Sequence, residues 1–274
     1  MLKVREIVNL LEREVPPELQ EGWDNTGLLI GFKEREVSKI LTCLEIDKRV
    51  VQEAEEIDAD MIISHHPLIF QGVKALRDDD YKSEMIMDII YRGISVYSCH
   101  TSFDKVKGGN NDIIMEKMGL SSIKNLKGED VTSPSKMAER RDEADIGRIG
   151  EFRHAMTYKN VIEMAAEKLN MSIRQLRAVG SLETEIKKVG VCTGAGADLA
   201  AMAASSGCQL FITGDVKYHE ALDALQDGMC LLDAGHYGTE KFFAEEMKKL
   251  LDKKLGDKVQ ITASGISMEP FEIL

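Results

Sequence analysis

Three short apolar runs, residues 39–46, 61–64 and 94–99, are separated by segments whose apolar residues recur at helical spacing. The same alternation returns later as residues 188–193, 210–215 and 229–233. A helix between two strands carries the chain back over the sheet, so this order implies βαβ units and a largely parallel sheet. The two halves align as 39–46 with 188–193, 61–66 with 210–215, and 94–104 with 229–240. We read this as a distant internal duplication. The fold class it implies is α/β: two similar domains with mainly parallel sheets flanked by helices. Residues 121–145 are polar and charged, with Ser133-Pro134-Ser135 and the run Glu139-Arg140-Arg141-Asp142-Glu143. Such a stretch reads as a surface connection or a change of domain. The expected domains are 1–125, with 241–274 packing back on it, and 126–240.

Helical spacing covers 50–57, 83–91, 112–118, 160–169, 197–204, 218–225 and 242–251. Glycines close several of these: Gly93, Gly119, Gly207 and Gly228. Residues 1–10 also read as helix and lack the apolar core of a signal peptide. Residues 22–31 hold the only tryptophan, Trp23, and read as a turn leading into a strand.

Composition narrows the function classes. Lys plus Arg is 35 against 47 for Asp plus Glu, a net charge of −12, with no basic block or aromatic-interleaved basic stripe. That pattern is not a nucleic-acid binder's. No apolar run is long enough for a membrane span. Five cysteines form no C-x-x-C pair and lie in or beside apolar segments. They read as reduced core thiols of a cytoplasmic protein.

Four of the six histidines sit just past strand-like runs: His65, His66, His100 and His236. Neighbours on a regular strand point to opposite faces, so His65 and His66 suit the loop after the strand, where each could serve a different metal ion. Pro67 ends ladder pairing there. His100 is followed at i+4 by Asp104, and His236 by Glu240. On a first helical turn that spacing shares one face. Imidazoles and carboxylates converging at strand ends make a borderline divalent-metal site, suited to Zn, Fe, Mn, Co or Ni. A carboxylate can also bridge two cations and offset their repulsion. Each residue has a plainer reading: polar loop histidines, a turn aspartate at 104, and a first-turn acid at 240 favoured by the helix dipole. Gly194-Ala195-Gly196 is either a phosphate cradle before a helix or a tight strand-to-helix turn, and it lacks the third glycine of a dinucleotide fingerprint.

Five motifs then occur in order: Trp23-Asp24-Asn25-x-Gly27-Leu28-x-x-Gly31, His65-His66-Pro67-x-x-Phe70, His100-Thr101-x-x-Asp104, Thr213-Gly214-Asp215-x-x-x-His219, and Asp233-x-Gly235-His236-x-x-Thr239-Glu240. Together they span nearly the whole chain, which resembles the NIF-three-like family, also called GTP cyclohydrolase I type 2 homologues. The resemblance implies two similar α/β domains, a toroidal homohexamer and a dinuclear centre with two divalent ions per chain. It implies His66 and Asp104 on one ion, His65 and His236 on the other, and Glu240 on both. His100 and His219 match positions near the centre that are not the usual ligands, and they are the candidates for moving a proton. For His100 the duplication alone predicts a ligand, so the two readings differ there, and we follow the family. Some members carry an inserted middle domain; residues 121–145 are too short to hold one, so this is the compact form. The implied reaction opens the imidazole ring of GTP by hydrolysis and releases formate, and such a centre suits a phosphate ester as well. The alternative is a ring protein without catalysis that acts as a metal chaperone or sensor.

Overall fold

A computed structural model describes every residue except Ser135, residues 138–141 and Leu274. Part of the charge run 139–143 and one serine of the Ser133–Ser135 motif therefore lie outside the described residues. The chain divides into two compact units, Met1–Phe103 with Phe242–Met268, and Asp104–Lys241 with Glu269–Leu274.

The first unit holds a five-stranded sheet in the order Gln260–Ala263, Lys39–Cys43, Met61–Ser64, Ser95–Ser98, Gly27–Ile30. The first three pairings are parallel and only the Gly27–Ile30 edge is antiparallel. Leu41, Ile62 and Val96 project into one core with Val50, Ala54, Met85 and Ile89 from the covering helices. Those helices start where a carboxylate takes the first N–H groups: Asp47 accepts from Arg49 and Val50, and Asp80 from Ser83. Such caps are typically worth about 1 kcal/mol each. The second cap is matched by Gly93 at φ +70°, a left-handed stop.

The second unit holds a six-stranded sheet ordered Ser121–Asn125, Arg148–Thr157, Glu185–Val191, Leu210–Thr213, Cys230–Asp233, Arg177–Val179. Its middle is the expected parallel trio, but its flanking pairings are antiparallel. The mainly parallel expectation holds for the first sheet, while the second is mixed. One of these antiparallel pairings comes from the Ser121–Asn125 strand, which the sequence presents as a polar connection. It is an edge strand whose outer residues face solvent, so no apolar alternation marks it. Only Asn125 is buried, and its amide donates to Asp145 Oδ1 at 3.0 Å.

Other differences are of boundary. The first helix spans Val4–Glu14 after a two-residue strand, and the Lys39–Cys43 strand stops before Leu44. Residues 197–204 form a short 3-10 turn and then the helix Ala200–Ser205. All five cysteines are buried and free. Burial raises their thiol pKa values, to about 12 for Cys208, so they stay protonated in the core.

One buried ion pair organises the second unit. Arg148 is fully buried and donates to Asp112 Oδ1 (2.6 Å) and to the backbone oxygens of Lys105 (2.6 Å), Val106 (3.2 Å), Asp145 (2.6 Å) and Gly147 (3.0 Å). The peptides it grips directly follow Asp104. Removing one partner of a buried pair leaves an uncompensated charge and costs about 3–5 kcal/mol. We expect Asp112→Ala to lower the free energy of denaturant unfolding by that amount. A loss under 1 kcal/mol would show that the guanidinium is satisfied without its carboxylate.

Candidate metal centre

Register places the first group of side chains. Cys43, Ser64 and Ser98 lie in one row across three parallel strands, and Ser64 Oγ and Ser98 Oγ share a hydrogen bond of 2.9 Å. The residues just past that row are His65, His66 and His100, so all three leave the carboxyl edge of the sheet, where parallel α/β sheets gather their ligands. Their ring nitrogens come within 4.8 Å of one another.

Each ring is held on one side. His65 is fully buried, with Nδ1 2.9 Å from the Cys99 carbonyl oxygen. His66 Nδ1 is 2.9 Å from Glu45 Oε2, and His100 Nδ1 is 2.7 Å from Asp24 Oδ1. A carbonyl or carboxylate oxygen can only accept, so Nδ1 carries the proton and the basic lone pair falls on Nε2. Outer carboxylate and carbonyl partners of this kind orient metal-binding imidazoles and raise their basicity. Burial pushes the Asp24 carboxyl up, but hydrogen bonds from His100, Thr101 and the Asn25 backbone outweigh it and hold the group below its usual range. Glu45 is held low in the same way by His66.

The second unit repeats the device. Thr193, Gly214 and Ala234 follow its parallel trio, whose register is set by Val191, Ile212 and Leu232. His236 opens a short helix with Nδ1 2.7 Å from Asp215 Oδ2 and Nε2 3.1 Å from Glu240 Oε2. Asp215 itself sits at φ +53°, a left-handed conformation rare for a non-glycine residue. Glu240 is 3% exposed and Asp104 6%, yet each offers a carboxylate oxygen within 4.8 Å of the other. Asp104 lies in the helical turn Thr101–Lys105 rather than in a loose loop. Asn110 donates to its Oδ1 at 2.9 Å, and Asn111 to its backbone oxygen at 3.1 Å.

Gly194-Ala195-Gly196 is the tight turn and not a phosphate cradle. Its two glycine amides are already used, Gly194 N–H on Thr239 Oγ1 and Gly196 N–H on Thr213 Oγ1, both at 3.0 Å. A Cβ at Gly194 would stand 2.5 Å from Glu240 Oε1 and 3.3 Å from His236 Nε2, at φ +70°. Only glycine lets the turn approach the carboxylate so closely.

The structure thus brings His65, His66 and His100 together in one unit, and Asp104, His236 and Glu240 in the other. His219 is not in the group of its own unit: it is exposed at the start of the Tyr218–Gln226 helix, its ring against Tyr218. Sequence reasoning from the residues missed Asp24, Glu45 and Asp215 as imidazole anchors. Asp24 and Asp215 fall inside the ordered motifs and were legible as motif positions. Glu45 carried no signal.

The donor set fits a borderline divalent cation, because imidazoles oriented through Nδ1 and close buried carboxylates are what such an ion needs. These features define an α/β protein of two units, each with a histidine–carboxylate group at its strand ends. The Duf34/NIF3 (NGG1p interacting factor 3) family pattern matches residues 2–270, and the chain belongs to that family. A GTP cyclohydrolase 1 type 2 homolog of Clostridium perfringens is 33% identical over 273 residues, covering all of both chains. NIF3-like protein 1 of Drosophila melanogaster is 31% identical over 98% of this chain and 88% of its own length. The Staphylococcus aureus hypothetical protein SA1388 superposes with a TM-score of 0.88 at 30% identity, covering 99% of each chain.

The lowered Asp24 carboxyl has a pH consequence. A group whose folded pKa lies below its unfolded value stabilises the fold above the unfolded value, about 3.9, and loses that contribution as pH falls through the folded value. The stability difference between the native protein and Asp24→Asn should therefore shrink as pH is lowered from 7 to below 4. Denaturant midpoints across that series check it, and a constant difference contradicts the sign.

Proposed function

We propose that this chain is a divalent-metal-dependent hydrolase of the GTP cyclohydrolase 1 type 2 homolog kind, acting on a nucleotide or related phosphate compound. In this reading His66 and Asp104 hold one ion, His65 and His236 another, and Glu240 holds both. The observation that carries it is the pair of buried carboxylates, Asp104 and Glu240, with oxygens within 4.8 Å of each other. Two ionised carboxylates so close repel unless a cation or a shared proton lies between them. Bound divalent ions supply Lewis-acid activation of water and of the bond under attack. The chain's own part is to hold each imidazole's Nδ1–H on Glu45, Cys99 or Asp215, and to keep Glu240 against the bare backbone of Gly194.

His100 is the group placed to move a proton. Its ring lies among the other two imidazoles of its unit, and Asp24 stands behind it to stabilise the charged form. His219, exposed on its own helix, is the second candidate.

Elemental analysis of anaerobically purified protein should find roughly two divalent ions per chain. Glu240→Ala should lose both, and His66→Ala mainly one. Retention of both ions in Glu240→Ala would remove the shared-ligand role. With metal measured in parallel, His100→Ala should keep both ions yet lower formate release from GTP, or phosphate release from esters, by about 10²–10⁴-fold. If the fully metallated native protein turns over neither class, the catalytic reading fails and a metal carrier or sensor takes its place.

We propose further that the chain forms a homohexamer. Support comes from large apolar side chains exposed along the Tyr81–Arg92 helix: Tyr81 at 60%, Ile90 at 43% and Tyr91 at 89%. An assembly must bury enough such surface to offset the repulsion of −12 charges per chain. Light scattering at physiological salt should give a mass near six chains, and a monomer at all concentrations would end the proposal.

A further inference from the structure

The chain's only tryptophan is not in a core. Trp23 is 61% exposed, and Phe70, equally free to be buried, is 41% exposed. Single exposed rings are ordinary, but exposed rings in contact with each other beside a polar cluster form the kind of contiguous patch that marks a binding surface. The two rings meet at 6.1 Å between centroids and 57° between planes, forming an aromatic corner. That corner borders the imidazole group of the same unit: His100 lies 6.0 Å from Trp23 and 6.2 Å from Phe70, edge-on to both. The corner is also braced. Asn25 Nδ2 donates to the Ile69 carbonyl oxygen at 2.5 Å, tying the loop that carries Trp23 to the loop that carries Phe70. Thr26 N–H donates to Gln20 Oε1 at 2.8 Å, and Asp24 takes the Thr101 N–H at 3.1 Å, so the Trp23 loop is pinned on both sides. A fixed aromatic corner costs a ligand no ordering of the protein when it stacks.

We propose that Trp23 and Phe70 form a stacking subsite for a planar heteroaromatic ring, and that they select such rings for the neighbouring imidazole group. The inference rests on the metal-centre reading for the chemistry done there, but not for the binding itself. A flat aromatic ring gains from the exposed indole and phenyl faces by offset or edge-to-face contact. A sugar phosphate without an aromatic ring lacks this contact. Ring stacking on aromatic side chains changes affinity by about tenfold to a hundredfold per ring when the side chain is removed.

Because Trp23 is the single tryptophan, its emission reports on the corner directly. The purified, metal-loaded protein is titrated with guanosine and, separately, with ribose 5-phosphate. Guanosine should quench the emission saturably, while ribose 5-phosphate should not. Phe70→Ala should weaken guanosine about tenfold or more, and Phe70→Tyr, which keeps the ring, should restore it. Trp23→Ala should weaken guanosine binding by a similar factor in equilibrium dialysis, and Trp23→Phe should retain most of it. Metal content is measured in every sample. Loss of guanosine binding with metals retained is the expected result for the alanine variants. Metal loss in the native protein would instead count against the centre and leave the subsite standing on its titration. The subsite is overturned if guanosine gives no saturable quenching, if ribose 5-phosphate competes equally, or if Phe70→Ala binds guanosine unchanged. It is also overturned if acrylamide fails to reach Trp23 in the native assembly, since the ring would then be covered by another subunit.

Discussion

Parallel pairing in a common register is the constraint from which the candidate centre follows. In each unit three neighbouring strands run in a shared register: Cys43, Ser64 and Ser98 form one row, and Val191, Ile212 and Leu232 the other. Parallel strands all present their carboxyl ends at one edge, so the residues that follow are delivered to one place whatever their distance along the chain. His65 and His100 are far apart in sequence but both follow the row of one sheet. Gly194, Asp215 and His236 do the same in the other. Antiparallel pairing would have sent alternate ends to opposite edges and scattered the donors.

Delivery is not orientation. That comes from oxygen atoms behind each ring: the Cys99 carbonyl, Glu45, Asp24 and Asp215. Holding Nδ1–H leaves Nε2 as the basic atom in His65, His66 and His100, which is one chemical solution used repeatedly. The carboxylates are fixed differently. Asn110 and Asn111 grip Asp104, while Arg148 holds the peptides immediately after it. Glu240 is confined by the glycine turn at 194 and by His236. The strained φ of Asp215 fits this picture, since left-handed backbone next to a site persists only where its surroundings hold it.

The two units use similar means with different partners. The 61–66 segment ends in His66, where the aligned 210–215 segment ends in Asp215. In one unit that position presents an imidazole braced by Glu45, and in the other it is the brace for His236. The aligned segments thus keep the strand-end position while exchanging which side chain binds and which supports.

Much of this was legible from the residues. The alternation of short apolar runs with helical spacing specified the parallel trio in each half, because a buried strand flanked by helices leaves a continuous apolar signal. The histidines past those runs, and the i+4 carboxylates, marked the candidate site by composition and position. The Ser121–Asn125 strand was not legible, since an exposed edge carries polar residues and its pairing is chosen by its neighbour. Nor was Glu45, an ordinary acid two residues past a strand, or the exposure of Trp23, which the sequence places only in a turn before a strand. The sequence by itself determined which residue types could reach the strand ends, through short-range periodicity. Only the tertiary structure decided which oxygen backs each imidazole and which aromatic rings remain in water, because those relations join residues distant along the chain and depend on packing that no local pattern encodes.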